Sequence, residues 1–172
     1  MKKNTAKLIK DDFRDFIDLL NKHRIDYCIT GAYAVSFHSE PRSTRDIDFY
    51  IAPTQTNSIK TAAVIKEFAG ADIDCGYFNT NETVILRIGV EPNQIELSNG
   101  LTGLRKEEIL RHRVKGKYSG ITAYYLGLNE IIKNKALVKN MVYRGRKRGS
   151  DSADYETLKL VKHKLLRKKF RK

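Results

Sequence analysis

The segment TGAYAVSFHSEPRSTRDIDFYI, residues 30–51, carries the strongest signal in this chain. Asp46 and Asp48 stand one residue apart inside an otherwise apolar run, about fifteen positions after Gly31, which ends another apolar run. Strands that feed a core seldom carry two carboxylates. The pair is therefore either a solvated patch of surface or a metal site.

Strand geometry favours a shared task for the two carboxylates. Residues i and i+2 of a strand point to the same face, about 6.5–7 Å apart by strand rise, so Asp46 and Asp48 project together while Ile47 and Phe49 point into the core. Carboxylates that close repel each other unless they share a cation or one is protonated. Magnesium takes oxygen ligands of this kind, and two such ions can clamp the attacking and leaving oxygens of a phosphoryl transfer.

A second pair in the same chain shows that spacing alone cannot decide. Asp72 and Asp74 have the same separation, but they follow Gly70, which ends a predicted helix, and their segment has no strand pattern. We expect turn and capping roles for this pair. The residues around Asp46 and Asp48 must therefore decide between a surface patch and a metal site.

Two neighbouring segments favour the metal site. The run IDYCIT, residues 25–30, predicts a strand that ends at Gly31 and opens a short helix, whose first N–H groups could hold a phosphate. Downstream, Glu96 is a lone acid in the apolar strand QIELS, residues 94–98. It is either a third carboxylate of the site or an outward-facing strand residue.

Hydrophobic periodicity and turn residues predict the remaining elements. The predicted order is helix 8–22, strand 25–30, helix 32–38, strand 45–52, helix 55–69, a hairpin of strands 83–90 and 94–98, a weak helix 104–112, a strand from 121, helix 128–142, a loop 143–151 and helix 152–166. This order predicts an α+β (α/β-like) fold with a mixed sheet and a helical C-terminal part. We expect one compact domain, with a catalytic core over residues 1–126 and a basic helical region over 127–172.

The positive charge is concentrated at one end of the chain. Residues 133–172 hold 15 Lys/Arg against 3 Asp/Glu, so +12 of the formal +13 lies there. Such a basic pole favours a polyanionic partner, nucleic acid first, although a solubilising tail would look the same. The N-terminal residues lack the apolar stretch of a secretory signal, and no apolar run is long enough to span a bilayer. We therefore expect a cytoplasmic protein without a membrane partner.

Together these residues resemble the polymerase-β-type nucleotidyltransferase superfamily. GAYA at 31–34 and PRSTRDID at 41–48 are similar to the G-G-x-A…h-G-x-x-R-x-T-x-D-h-D-h stretch of small bacterial members, including abortive-infection and toxin–antitoxin nucleotidyltransferases. The likeness continues through Glu96 at the place of the third acid and through Lys135 in LNEIIKNKALVKN. The run RGRKRGSDSADYETL resembles a further family segment, R-x-K-D-x-x-D-h-x-x-L. One departure is Ala32, which replaces a second glycine or a serine whose hydroxyl contacts phosphate.

The resemblance implies a fold, a reaction and roles for individual residues. It implies the nucleotidyltransferase fold and the transfer of a nucleoside monophosphate from a nucleoside triphosphate (NTP) to an acceptor hydroxyl, with two Mg²⁺ ions, or Mn²⁺ in their place. The implied metal ligands and catalytic residues are Asp46, Asp48 and Glu96. The implied nucleotide-binding residues are Gly31, Ala32, Arg42, Arg45 and Lys135. Two of these have simpler alternatives: Lys135 as an ordinary solvated helix lysine, and Arg42 as a brace of its turn.

Three functions remain open on the sequence. The first is a nucleotidyltransferase that acts on RNA such as tRNA, as a toxin with an antitoxin protein as partner. The second is a catalytically idle member that binds nucleic acid or a partner protein. The third is a nucleotidyltransferase that modifies a protein or a small molecule.

Overall fold

The computed structural model describes residues 2–142, 145 and 147–169, which form six helices and six strands. The helices are α1 (Lys2–Lys22), α2 (Gly31–His38), α3 (Gln55–Ala69), α4 (Lys106–Arg111), α5 (Leu128–Val138) and α6 (Lys147–Lys169). The strands are β1 (Tyr27–Ile29), β2 (Asp46–Ile51), β3 (Ile85–Ile88), β4 (Gln94–Ser98), β5 (Val114–Tyr118) and β6 (Ile121–Tyr125). Among these residues, no helix combines the length and the apolar content that crossing a bilayer requires.

The strands form one mixed sheet in the order β3-β4-β2-β1-β6-β5. The three inner strand pairs differ in direction: β1 is antiparallel to β2 but parallel to β6, and β2 is parallel to β4. Antiparallel hairpins, β3–β4 and β5–β6, close the two edges. The α+β prediction is thus confirmed.

The alternation along β2 separates a core face from a polar face. Ile47 and Phe49 are fully buried, and the Phe49 ring meets Phe16 of α1 edge-on at 5.4 Å between centroids. Phe16 in turn packs on Phe68 of α3, so α1 and α3 cover this side of the sheet. The opposite side of β2 carries Asp46 and Asp48, near which α2, α5 and α6 pack together.

The helix α3 begins and ends where short-range capping signals in the sequence predict. Thr54 accepts a hydrogen bond from the backbone N–H of Asn57 at 3.3 Å, which caps the helix start. At the other end Gly70 adopts a left-handed conformation, with φ at 68°, and its N–H donates to the Lys66 carbonyl. The predicted range 55–69 is confirmed for this reason.

The predicted bounds of the last two helices were wrong, and one strand was missed. β5 was not predicted because an edge strand with exposed lysines lacks an apolar pattern. The helix α6 begins at Lys147 instead of 152, while α5 ends at Val138 instead of 142. Part of the predicted loop 143–151, and the end of the basic run 167–172, lie outside the described residues. The division at residue 126 stays a prediction; β6 ends just before it and α5 begins just after it.

The second aspartate pair has the structural roles that its context predicts. Asp74 accepts a hydrogen bond from the Gly76 N–H at 2.7 Å within a turn. Asp72 forms an exposed ion pair with Lys66, with 2.6 Å between Oδ1 and Nζ. The turn role of this segment is confirmed, and the pair lies outside the sheet.

Candidate active site

A cavity of about 130 Å³ collects most of the residues that the sequence singled out. Its wall includes seven of the predicted site residues: Gly31, Ala32, Arg42, Asp46, Asp48, Glu96 and Lys135. Arg45 lies outside this wall; its side chain is 78% exposed and stands 3.7 Å from Glu91. The wall also contains Lys147 and Ser150 of α6, which sequence reasoning missed.

The register of β2 and β4 places the third acid. The two strands are parallel, and Asp48 lies directly opposite Glu96, while Asp46 lies opposite Gln94. Neighbouring strands are about 4.8 Å apart, so the Asp48 and Glu96 side chains leave the same face of the sheet side by side. Asp46 joins them by the alternation along β2. The three carboxylates therefore converge on one cavity.

The environment of the two aspartates differs in charge. Burial disfavours the charged form of Asp46, but a hydrogen bond from the Thr44 hydroxyl (2.8 Å) and the ammonium of Lys147 (3.3 Å) outweigh it, so the pKa of Asp46 lies below its ordinary value. Burial, followed by the charges of Asp46 and Glu96, raises the pKa of Asp48 to about 7. The cavity thus concentrates negative charge around Asp48.

Gly31 and the start of α2 shape the wall beside Asp48. The N–H of Thr30 donates to the Asp48 carbonyl at 2.8 Å, and Gly31 follows with φ at +56°. Thr30 makes no side-chain cap on α2, and the first turn of this eight-residue helix borders the cavity at Gly31 and Ala32. A helix start of this kind presents backbone N–H groups and a partial positive charge to an anion.

Replacing Gly31 with alanine is expected to lower the free energy of unfolding by about 2–5 kcal/mol, because two costs add. The left-handed conformation costs a β-carbon about 1–2 kcal/mol, and the collision of that atom with the Asp48 carboxylate adds about 1–3 kcal/mol. Urea denaturation measures the loss. Gly70→Ala is the matched control, since Gly70 has φ at +68° and open space around it. Equal losses in both variants would show that the Gly31–Asp48 approach is not tight.

Lys135 is committed to an internal ion network. Its side chain is 6% exposed, and its Nζ lies 2.7 Å from Asp151 and 2.8 Å from Asp154 of α6. Arg42 joins the network through Asp154, with Nε and Oδ1 2.8 Å apart. Arg42 also donates to the Ser43 carbonyl at 3.3 Å, which agrees with the alternative of a brace of its turn, whereas a solvated Lys135 does not agree with its burial.

Glu96 also has a cationic partner, in this case on the neighbouring edge strand. Arg87 lies opposite Glu96 in the β3–β4 pair, and its Nε donates to Glu96 Oε2 at 2.8 Å. Glu96 and Asp46 are thus both paired with cations, Arg87 and Lys147. Over the residues that the structure describes, no three His, Cys, Asp or Glu groups stand close enough to hold one ion.

Other cavities bear on the choice of site. A cavity of about 300 Å³ adjoins the carboxylates and shares Asp48, Glu96 and Lys135 with the first; the rest of its wall is mainly hydroxyl, amide and aliphatic. A larger, shallower depression of about 570 Å³ lies between α1 and β6. Arg113 there pairs with Asp26 at 3.2 Å, so charges in that depression compensate each other. The carboxylate cavity is the stronger candidate.

Comparisons with known proteins identify the fold. No family model matches the chain, and no curated protein gives a significant match. Solved structures do match, among them an antigenic nucleotidyltransferase-like protein from Paracoccidioides brasiliensis. The two superimpose with a TM-score of 0.56 at 20% sequence identity, over 87% of this chain and 74% of that protein. With its mixed six-stranded sheet and flanking helices, this chain has the nucleotidyltransferase fold.

Proposed function

We propose that the protein is a Mg²⁺-dependent nucleotidyltransferase that moves a nucleoside monophosphate from an NTP to an acceptor hydroxyl. The observation that carries this proposal is the parallel register of β2 and β4, which sets Glu96 beside Asp48 on the face that Asp46 shares. Fold alone hosts many functions, so the argument rests on these side chains. The nucleotidyltransferase fold agrees with it.

The chemistry of the donor set fits a divalent metal. Asp46, Asp48 and Glu96 border one cavity, where burial, and after it the repulsion from Asp46 and Glu96, keeps the pKa of Asp48 far above its ordinary value. A cation would relieve this repulsion, and carboxylate oxygens are the ligands that Mg²⁺ prefers. Asp46, Asp48 and Glu96 would hold the metal, for which Mn²⁺ could substitute. Bound there, the metal would supply charge neutralisation at the phosphates and a lowered pKa of the acceptor hydroxyl.

The residues around the carboxylates would bind and position the substrate. Backbone N–H groups at Gly31 and Ala32 would hold phosphate oxygens at the start of α2. Glu96, which borders the same cavity, would take the proton of the attacking hydroxyl. Lys135 would attract the phosphates electrostatically without contacting them directly, because its ammonium is already paired with Asp151 and Asp154. The adjoining cavity of about 300 Å³ offers uncharged groups to the remainder of the substrate.

The basic surface of α6 supports RNA as the acceptor. Beyond the ion network, the helix presents exposed basic side chains: Lys159, Lys162, Lys164, Arg167, Lys168 and Lys169. Its 23 residues span about 35 Å, and the first of them lines the cavity. One helix therefore connects the site with a surface that would attract phosphates. A tRNA substrate, a toxin activity and an antitoxin partner belong to this proposal and follow from the resemblance.

The direct test is transfer of label from NTPs to an acceptor. We expect the protein with Mg²⁺, each α-³²P-labelled NTP and total RNA to label an RNA fraction, and Asp48→Asn to label none. Label in a protein or small-molecule fraction would agree with the proposed reaction but would identify a different class of acceptor. A protein that binds NTP and Mg²⁺ but transfers label to no fraction, with or without Asp48, would contradict the proposed reaction.

A catalytically idle protein that binds nucleic acid is the second candidate. Two observations favour it: Ala32 offers phosphate no hydroxyl, and two cations of the wall, Arg42 and Lys135, are held by internal acids. Such a protein would bind RNA with a steep salt dependence that Mg²⁺ and NTP leave unchanged. RNA binding measured across a salt series, with and without Mg²⁺ and NTP, distinguishes the two candidates.

A further inference from the structure

The three cationic side chains on the cavity wall differ in their partners. Arg42 and Lys135 pair with buried acids of α6, Asp154 for both and Asp151 for Lys135, and Asp151 also borders the cavity. Lys147 pairs instead with Asp46, with 3.3 Å between its Nζ and Oδ2. It is therefore the wall cation whose partner would itself be a ligand of the metal.

The Lys147–Asp46 ion pair can open easily, so that a metal ion could replace the ammonium at Asp46. The Lys147 side chain is 60% exposed and hangs from the first residue of α6, so its four-carbon stem can turn without disturbing the core. The Asp46 side chain is only 15% exposed, but the ammonium is solvated, so the pair opens at little cost in free energy. The buried pairs of Lys135, by contrast, cannot be opened without leaving charges unpaired in the interior.

We propose that Lys147 is a nucleotide-binding residue that serves as the counterion of Asp46 until a divalent ion takes that carboxylate. Released by the ion, the ammonium would stay at the mouth of the cavity, where the phosphates of an NTP enter. Metal and triphosphate binding would thus be coupled through one side chain. This inference rests on the proposed function and adds to it the identity of the phosphate-binding lysine.

Glu96, like Asp46, is paired with an exposed cation. Glu96 is held by Arg87, whose side chain is 56% exposed on the edge strand β3. Asp46 and Glu96 thus each carry an exposed cation, one from α6 and one from β3, while Asp48 lies between them against two like charges. A divalent ion would meet competition at both outer carboxylates.

The experiment uses two probes with the full-length chain, Mn²⁺ alone and inorganic tripolyphosphate in the presence of Mn²⁺. For Lys147→Ala we expect Mn²⁺ to bind about three- to fivefold more tightly, the scale of one exposed ion pair, as measured from free Mn²⁺ by electron paramagnetic resonance. We expect tripolyphosphate to bind about tenfold more weakly by calorimetry, the scale of a hydrogen bond to a charged group. Lys147→Arg should retain tripolyphosphate binding.

Lys159→Ala is the matched control, because it removes the same charge from the same helix about 18 Å further along. Opposite shifts of the two affinities in Lys147→Ala, with no shift in Lys159→Ala, would support the inference. Unchanged or weaker Mn²⁺ binding by Lys147→Ala would overturn it while the metal site itself stands. If the wild type binds no more Mn²⁺ than Asp48→Asn does, the proposed function fails first, and this inference with it.

Discussion

Asp48→Asn is expected to lower nucleotidyl transfer by at least about a hundredfold and, in the same sample, to make the protein more stable at pH 8. The activity would fall because one ligand of the proposed metal is lost, and a metal supplies several kcal/mol of charge stabilisation in such reactions. The stability rises because the asparagine amide carries no charge into a cavity that already holds Asp46 and Glu96. The charged Asp48 carboxylate thus lowers the free energy of unfolding of the wild type.

The sign of the pH dependence follows from the direction of the shift. The folded pKa of Asp48 is about 7, above its ordinary value of 3.8, so the folded state binds more protons than the unfolded state between these values. The stability of the wild type therefore falls as the pH rises through this window. The advantage of Asp48→Asn should grow from near zero at pH 4 to about 2 kcal/mol at pH 8, roughly half of what the full shift would give, because the carboxylate is partly open to the cavity.

Urea denaturation at pH 4, 6 and 8 in the presence of a chelator measures this difference. Asp72→Asn is the control, since it removes an aspartate with the same spacing but with an exposed side chain. Its stability should follow that of the wild type at every pH. An Asp48→Asn variant that is less stable than the wild type at pH 8 would show that the carboxylate is well accommodated when charged.

Lys135→Met is expected to lower the free energy of unfolding by about 3–5 kcal/mol, the usual cost of removing one partner from a buried ion pair. The methionine fills similar space but leaves Asp151 and Asp154 without the ammonium that lies within 2.8 Å of both. Arg42 remains beside Asp154 and would compensate one of the two charges in part. The loss should therefore be large but not sufficient to prevent folding.

The same helix offers a matched control for this prediction. Lys133 also pairs with an acid, Glu108 at 3.3 Å, but its side chain is 52% exposed. Lys133→Met should cost less than about 1 kcal/mol, as is typical of exposed pairs. Urea denaturation compares the two variants. If Lys135→Met keeps its stability and loses only affinity for tripolyphosphate, then Lys135 has the phosphate-binding role that the sequence implied, and the ion network is secondary.

Local patterns were sufficient for much of the fold. The alternation of DIDFYI and QIELS predicts two strands with acids on one face, because side chains along a strand alternate regardless of what lies beside it. The helix 55–69 was predictable because Thr54 and Gly70 mark its ends by short-range hydrogen bonds and backbone conformation. The edge strand β5 was not, since half-exposed strands of lysine and glycine carry no apolar period.

The residues of the candidate site could be predicted from the sequence. The strand register and the ion pairs that bring them together could not. Asp46, Asp48, Glu96 and Gly31 stand out by residue type and position in the chain, because the chemistry of a carboxylate or a glycine belongs to the residue itself. The neighbours of each charge depend on strands and helices that are distant in the chain. Only the packed structure sets Glu96 opposite Asp48, buries Lys135 between two acids of α6 and brings Lys147 to Asp46. The reason is physical: strand register and helix docking are set by burial of the core over the whole domain, whereas alternation and capping are set within a few residues.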